Sequence, residues 1–185
     1  MKRKCFLSAV LLLAAAFSGA AQWKVTAGLM NNQITFSEPG VRSPLVGHGW
    51  YVGALWEQRL GGRLPLTFEP GLTVDFITYS VTGHKVHVQY ARVPLHLRCD
   101  WALDPRTTVF FGAGPGISAA LGGGKRVSFG KDDYARFDLQ AGVEGGICIT
   151  SRLAFRAGYD WGLLGGDRSM YARRRGVNVG ITYRF

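Results

Sequence analysis

Apolar residues recur at every second position along most of the chain, and this period of two constrains the fold more than any other feature. In the last segment the odd positions from Val177 to Phe185 are apolar, and the even positions from Asn178 to Arg184 are polar or glycine. Side chains of a β-strand alternate between two faces, whereas an α-helix repeats its apolar residues every three or four positions. The pattern predicts strands with one apolar and one polar face.

The same alternation, interrupted by glycine-containing or polar breaks, predicts eight strands. Their predicted bounds are 22–31, 48–60, 65–79, 85–101, 107–121, 134–149, 153–164 and about 177–185. Short turns at 61–63, 104–106 and 150–152 alternate with longer segments at 32–47, 80–84, 122–133 and 165–174. Short turns at one end and long loops at the other are typical of transmembrane barrels. We therefore expect an all-β fold, an eight-stranded antiparallel up-and-down transmembrane β-barrel whose first and last strands pair and leave no open edge.

The N-terminus has the pattern of a secretory signal peptide. Lys2, Arg3 and Lys4 precede an apolar run that ends near Phe17, and small residues follow at 18–21. The run is shorter than the roughly 20 residues that a transmembrane helix needs. We expect residues 1–20 to be cleaved and residues 21–185 to form one outer-membrane barrel domain.

The basic composition points to lipid, and not to nucleic acid, as the partner. The chain has 22 Lys plus Arg and 12 Asp plus Glu. Cleavage would remove three cations, which leaves 19 against 12 and a charge of +7. An exported chain meets little nucleic acid, and the cations are scattered along the sequence. We expect contacts with outer-membrane lipid and with the outer-membrane assembly machinery, and a monomer.

Aromatic residues near the strand ends favour a membrane barrel over a soluble one, since alternation alone fits both. The apolar face would then point to lipid and the polar face into the lumen. Two aromatic girdles are expected at the two bilayer interfaces. Trp23, Trp56, Trp101 and Phe185 would form the one on the turn side, and Trp50, Tyr79, Tyr159 and Trp161 the one on the loop side.

Three segments resemble the PorT-like outer-membrane β-barrel family of Bacteroides-type bacteria. They are the tract Tyr90-Ala91-Arg92-Val93-Pro94-Leu95-His96-Leu97, the strand Phe111-Gly112-Ala113-Gly114-Pro115-Gly116 and the terminal Tyr183-Arg184-Phe185. The resemblance covers nearly all of the chain after the signal peptide and implies an eight-stranded barrel. It also implies that Tyr183 and Phe185 act as an assembly signal. It implies no particular activity.

The fourth strand changes phase. Val86, Val88 and Tyr90 occupy even positions, whereas Val93, Leu95, Leu97 and Cys99 occupy odd ones. If all of them face lipid, a β-bulge must lie near Ala91 and Arg92. The alternative is that the upper part of the strand projects beyond the membrane, where its facing is unconstrained.

Charged residues on the polar faces predict a paired network in the lumen. Eight strands enclose an interior that side chains just fill, and buried charges must be paired. The expected members are Glu57, Arg59, Glu69, Asp75, Arg98, Glu144 and Arg156. Cys99 and Cys148 fall on opposite faces and are expected to remain free thiols.

We find no pattern of catalytic or metal-binding residues in the sequence. His84, His87 and His96 lie on or beside the fourth strand, with Ser80 nearby and Glu69 or Asp75 on the third. No recognised spacing of nucleophile, base and acid emerges, and the histidines are too far apart to predict a metal site. We expect no enzyme activity and no cofactor.

The loops are where function is expected, because binding residues concentrate there. Lys125, Arg126, Arg173, Arg174 and Arg175 are candidate contacts for lipopolysaccharide phosphates, or else an ordinary solvated charge run. Three roles stay open at this point. They are a structural or surface-interaction barrel acting through its extracellular loops, a narrow channel or transport-associated barrel, and a soluble periplasmic barrel that binds an apolar ligand.

Overall fold

A computed structural model describes residues 22–36, 45–60, 64–81, 84–123, 137–163 and 172–185. The predicted signal peptide, residues 1–20, lies outside these ranges. Described side chains exclude those of residues 36, 81, 122, 123, 137, 172 and 173. The described residues contain no helix long and apolar enough to cross a membrane.

Eight antiparallel strands close into a single barrel in which each strand pairs with its neighbours in sequence and β1 pairs with β8. The predicted fold class is confirmed. The strands are β1 (Gln22–Phe36), β2 (Leu45–Leu60), β3 (Leu66–Val81), β4 (His84–Ala102), β5 (Thr108–Gly123), β6 (Phe137–Cys148), β7 (Leu153–Gly162) and β8 (Ala172–Arg184).

Several strands run further toward the loop side than the alternation predicts. β1 continues to Phe36 instead of ending near Asn31, and β2 begins at Leu45 instead of His48. Ladder hydrogen bonds persist there, as the pairing of Ile34 with Leu45 shows. The alternation stops earlier because only the lipid-covered part of a strand needs an apolar outer face.

The outer wall of the barrel is apolar, as the alternation predicts. Leu29 and Leu72 are 65% and 55% exposed, while Asp75 on the opposite face of β3 is 0% exposed. Trp23 stacks on Trp56 at the turn side, and Trp50 stacks on Phe76 at the loop side. Tyr79 does not belong to the loop-side girdle, because it points into the barrel and is 3% exposed.

The predicted bulge in β4 is wrong. The pairing of β4 with β3 has an unbroken register, and the shift lies between β4 and β5. Gln89 pairs with Gly122 and Tyr90 with Ala120, so the extra residue is Leu121 on β5. Strand β4 keeps its alternation, and its residues Val86, Val88 and Tyr90 point into the barrel.

These inward residues belong to an apolar lumen cluster near the loop side. Its buried members are Met30, Tyr51, Ile77, Tyr79 and Val88, with Ile34, Leu45, Val86 and Tyr90 packed against them. Glycines on adjacent strands make room for the rings. A Cβ on Gly47 would lie 2.5 Å from the Tyr79 ring, and one on Gly28 would lie 2.7 Å from the Tyr51 ring.

Cys99 and Cys148 are free thiols on different faces of the wall. Cys99 pairs with Phe111, which is 53% exposed on the outside. Cys148 lines the turn-side mouth of the lumen together with Arg98 and Arg184.

Candidate functional site

The inward faces of seven strands bring charged side chains together in the turn-side half of the lumen. We call this set the lumen network. It comprises Lys24 (β1), Glu57 (β2), Glu69 (β3), His96, Arg98 and Asp100 (β4), Glu144 (β6), Arg156 (β7) and Arg184 (β8). Each member follows from the alternation, since its sequence neighbours face lipid.

Glu69 is the centre of the lumen network. Arg98 donates to its Oε2 over 2.7 Å, and Arg156 donates to its Oε1 over 2.7 Å. The Lys24 ammonium lies 2.5 Å from Oε2. Both carboxylate oxygens therefore carry charged donors, which is what an anion that is 1% exposed requires.

Further pairs extend the lumen network in both directions. Glu57 pairs with Lys24 and accepts from Arg184 Nη2 over 2.8 Å. Glu144 accepts from Arg156 Nη2 over 2.5 Å, and His96 Nδ1 lies 3.1 Å from the same Oε2. Four permanent cations face four carboxylates, so the charges balance. Such balance lets a buried network remain ionised. The cations are Lys24, Arg98, Arg156 and Arg184, and the carboxylates are Glu57, Glu69, Asp100 and Glu144.

A second group of polar residues lies between the lumen network and the apolar lumen cluster. Arg92 Nη1 donates to Asp160 Oδ2 over 2.5 Å, and its Nε lies 3.5 Å from Asp75 Oδ2. Asn178 donates to the same oxygen of Asp160 over 3.0 Å. The side chains of β3, β4, β7 and β8 are thereby tied together at mid-height.

These side chains leave little open volume inside the barrel. The cavity between the two polar groups, lined by Tyr51, His96 and Arg156 among others, measures about 30 Å³. That volume holds one or two waters. A vestibule of about 950 Å³ opens at the turn-side mouth, with Arg98 and Asp100 among the residues that line it.

Seven residues were predicted for the lumen network. Five of them belong to it, a sixth lies in the neighbouring polar group, and the seventh lies outside both. Glu57, Glu69, Arg98, Glu144 and Arg156 are in direct ionic contact with one another, and Asp75 contacts Arg92 instead. Arg59 was expected among them but lies exposed at the rim of the vestibule. It shares the inward parity of Glu57, but β2 ends one residue later, beyond the enclosed part of the lumen.

Sequence reasoning left several partners out of the predicted network. Lys24 and Arg92 are 4% and 7% exposed, and each binds a carboxylate across the lumen. The alternation of strand faces was the sequence signal that could have identified both as lumen residues. Lys24 alternates with the outward Trp23 and Val25, and Arg92 alternates with the outward Val93. The assumed bulge near Arg92 obscured that signal on β4.

The candidate lipopolysaccharide cations do not share one surface. Lys125, Arg126 and the side chain of Arg173 lie outside the described residues. Arg174 points into the barrel, with its guanidinium 4.4 Å from the centre of the Tyr90 ring and Nη2 donating to Ser118 Oγ over 3.3 Å. It is therefore not available to an external ligand. Arg175 is exposed on the outer wall, where it pairs with Gln33 and Trp161.

His96 and His87 lie on opposite faces of β4. His96 lies in the lumen beside Glu144, whereas His87 is on the outer wall, with its Nδ1 2.9 Å from Thr78 Oγ1. Within the described ranges, no three His, Cys, Asp or Glu side chains are grouped as a metal site would require.

A closed eight-stranded barrel with a lipid-facing apolar wall and a charged interior defines an integral outer-membrane protein. The family comparison agrees with this class. Residues 5–185 match the model described as outer membrane protein beta-barrel domain, and the chain belongs to that family. The protein is located in the outer membrane of a Gram-negative bacterium. No curated protein matches the sequence.

Solved outer-membrane barrels share the fold. Neisserial surface protein A is 16% identical, with a TM-score of 0.57, and the match covers 90% of this chain and 99% of that one. The outer membrane enzyme PagL is 11% identical, with a TM-score of 0.54, and the match covers 88% and 98%. At these identities the likeness establishes the architecture alone.

The soluble periplasmic barrel considered above is therefore wrong. A lipocalin-like protein needs an apolar lumen and a polar exterior. This barrel has the opposite arrangement over most of its height, with exposed tryptophan and leucine outside and ion pairs inside.

Proposed function

We propose that the protein is a small closed barrel with a structural or surface-interaction role, acting through its loop-side surface. The observation that carries this proposal is the filled lumen. Ion pairs span the barrel at two heights, and the apolar lumen cluster lies toward the loop side. The described side chains leave little room for a continuous water path through such an interior, which supports a partner that is met outside it.

The alternative of a narrow channel finds less support. A water-filled pore keeps charged side chains along an open column. Here Glu69 and Asp75 are 1% and 0% exposed, and the cavity of about 30 Å³ between the two polar groups has room for one or two waters. Conduction would require several ion pairs to break together.

We infer a non-enzymatic role, and the arrangement of the described side chains on the outer wall supports this inference. The contact between Thr78 and His87 places a hydroxyl beside an imidazole, which is two-thirds of a catalytic triad. A triad also needs an acid to orient the histidine. Every strand carboxylate in the described part of the chain belongs to the lumen or its mouth, as in the pairs of Glu69, Glu144 and Asp160.

We infer that lipopolysaccharide is the partner of the loop-side cations and that the barrel acts as a monomer. Among the predicted lipopolysaccharide cations, Arg175 is the one whose described side chain has an outward position, beside Trp161 at the level where an interfacial girdle is expected. Lys125, Arg126 and Arg173 remain candidates from the sequence. We further infer that the chain falls within the PorT-like group of its family.

A neutralisation experiment tests this function. The variant Lys125→Gln, Arg126→Gln, Arg173→Gln and Arg175→Gln should bind purified lipopolysaccharide at least tenfold more weakly than the wild type, because each lost cation removes a charge-assisted contact. The matched control is the triple variant Arg59→Gln, Arg106→Gln and Arg152→Gln, whose exposed cations lie on the opposite rim. Undiminished binding by the loop variant would exclude those cations as the contact.

A further inference from the structure

A polar patch lies on the outer wall where β2, β3 and β4 leave the apolar band. His48 pairs with Thr78, and Thr78 pairs with His87, so the three side chains stand in one row across the strands. Ser80 and Lys85 pair in the adjoining row on the loop side. We call these five residues the outer-wall patch. All are exposed except Thr78, which is half-buried.

The outer-wall patch borders the membrane interface. Trp50 and Phe76 occupy the next outward positions toward the turn side, and their rings stack with centres 4.1 Å apart. Trp50 is 50% exposed on the wall. Aromatic rings of this kind sit at headgroup level. A step of two residues along a strand is about 7 Å, so the patch lies at or just beyond the headgroups of the outer leaflet.

The charge of the patch has one sign. Lys85 carries a positive charge, and the imidazole of His87 lies two residues further along the same face of β4. The strand carboxylates of the described ranges all lie in the lumen or its mouth, so none of them neutralises the patch on the outer wall. They are Glu57, Glu69, Asp75, Asp100, Asp138, Glu144 and Asp160.

We propose that the outer-wall patch binds the phosphate of an outer-leaflet lipid of the lipid A class. Lys85 supplies the charge, and the hydroxyl of Ser80 stands next to it as a hydrogen-bond donor. The hydroxyl oxygen of Thr78 lies 2.9 Å from Nδ1 of His87, so Nε2 is the ring nitrogen that can contact a ligand. When the Thr78 hydroxyl donates to Nδ1, Nε2 carries the proton and donates to a phosphate oxygen.

The apolar wall below the patch selects a lipid over a soluble phosphate. A lipid anchored by its phosphate at Lys85 and His87 would lay its acyl chains along the wall that begins at Trp50 and Phe76. A free phosphate would gain the polar contacts alone. This proposal rests on the outer-membrane position of the barrel, but its residues are distinct from the loop-side cations discussed above.

The test uses the whole folded barrel in a non-ionic detergent with purified bisphosphorylated lipid A as the probe, and native mass spectrometry as the measurement. The double variant Lys85→Gln and His87→Gln should bind lipid A at least tenfold more weakly than the wild type. Thr78→Val should weaken binding by a smaller factor, because it removes the partner that orients His87. The matched control is Arg106→Gln with Arg152→Gln, which neutralises two exposed turn-side cations and should leave binding unchanged.

Several results would overturn the proposal. They are undiminished binding by the Lys85 and His87 variant, an equal loss in the turn-side control, and equal binding of lipid A from which the phosphates have been removed. Inorganic phosphate that binds as tightly as lipid A would also contradict a lipid site. One pattern would refute this inference and leave the proposed function standing. It is loss of lipopolysaccharide binding in the fourfold variant that includes Arg175→Gln, together with normal lipid A binding by the Lys85 and His87 variant. The converse pattern would refute the loop contacts and support the patch.

Discussion

Arg156 on β7 donates a hydrogen bond to Glu69 on β3, with Nη2 2.7 Å from Oε1, and so bridges the barrel between strands that lie four positions apart around it. The other oxygen of Glu69 accepts from Arg98 over 2.7 Å. The same Arg156 nitrogen also binds Glu144. One guanidinium therefore links three strands across the lumen and fills part of it.

Replacing that guanidinium should destabilise the barrel. Arg156→Leu leaves Glu69 and Glu144 buried with fewer partners, and breaking a buried ion pair in this way costs about 3–5 kcal/mol. We expect the variant to lose its compact, heat-resistant form at a lower temperature than the wild type. The measurement is the shift in gel mobility on heating in detergent.

Arg59→Leu is the control for this prediction. Arg59 is exposed at the rim of the vestibule, so the same loss of charge should leave the transition temperature unchanged. Equal heat resistance of Arg156→Leu and the wild type would show that the cross-lumen ion pairs do not stabilise the fold.

Gly47 should not tolerate a side chain. An added Cβ would lie 2.5 and 2.6 Å from two ring carbons of Tyr79, and overpacking of this kind costs about 1–3 kcal/mol. Gly47→Ala should therefore lower the free energy of unfolding in urea. Because the nearest atoms belong to a side chain, Tyr79→Leu should relieve much of the cost, and a double-mutant cycle should give a favourable coupling.

Gly116→Ala is the matched control for the packing prediction. A Cβ there would meet nothing closer than 3.5 Å, at the Val93 carbonyl oxygen. It should change the free energy of unfolding little. If Gly47→Ala and Gly116→Ala behave alike, the tight packing of Tyr79 on Gly47 is not a determinant of stability.

The turn between β4 and β5 should respond to pH through Asp104. Its carboxylate accepts hydrogen bonds from the backbone N–H groups of Arg106 and Thr107, each over 2.7 Å, and these bonds hold the pKa of Asp104 below its ordinary value. A lowered pKa contributes stability above the unfolded-state value of roughly 4, and that contribution is lost as the pH falls through the folded-state pKa.

The comparison of Asp104→Ala with the wild type measures this effect. The difference in urea midpoint should be present at pH 7 and should shrink below pH 4. Asp104→Asn keeps an oxygen acceptor without the titrating charge, so its midpoint relative to Asp104→Ala should not vary with pH. A wild-type advantage over Asp104→Ala that is constant down to pH 2.5 would contradict the assignment.

The terminal residue should matter for assembly more than for the stability of the folded barrel. Phe185 is 74% exposed, its ring contacts Tyr183 edge-on, and its backbone N–H donates to the carbonyl of Trp23 over 3.2 Å. Deletion of Phe185 should reduce the amount of protein in the outer membrane, while the protein refolded in detergent keeps its heat resistance. Phe185→Tyr serves as the control that preserves an aromatic end. Normal outer-membrane levels of the deletion variant would show that Phe185 is not an assembly signal.

The fold was predictable because lipid imposes a simple rule. An apolar side chain must stand at every second position of a strand that crosses the membrane, and β1, β3 and β8 follow that rule plainly. The same rule places Glu69 and Asp75 in the lumen from the sequence alone.

The interior was harder to predict because the rule says nothing about which lumen residues are apolar. The bulge prediction placed Val88 and Tyr90 on the lipid face because they are apolar, yet they belong to the apolar lumen cluster or pack against it. Likewise, Arg174 has the sequence context of a loop cation but the parity of an inward residue, and it stacks on Tyr90. Strand parity was the correct guide in both cases.

Conductance across planar lipid bilayers tests most directly the claim that the lumen is closed. Barrels whose insertion is verified by heat-shifted gel mobility should give no discrete current steps above the bare bilayer, because ion pairs and the apolar lumen cluster fill the interior. Reproducible single-channel steps from the wild-type barrel would contradict the closed lumen and favour a channel.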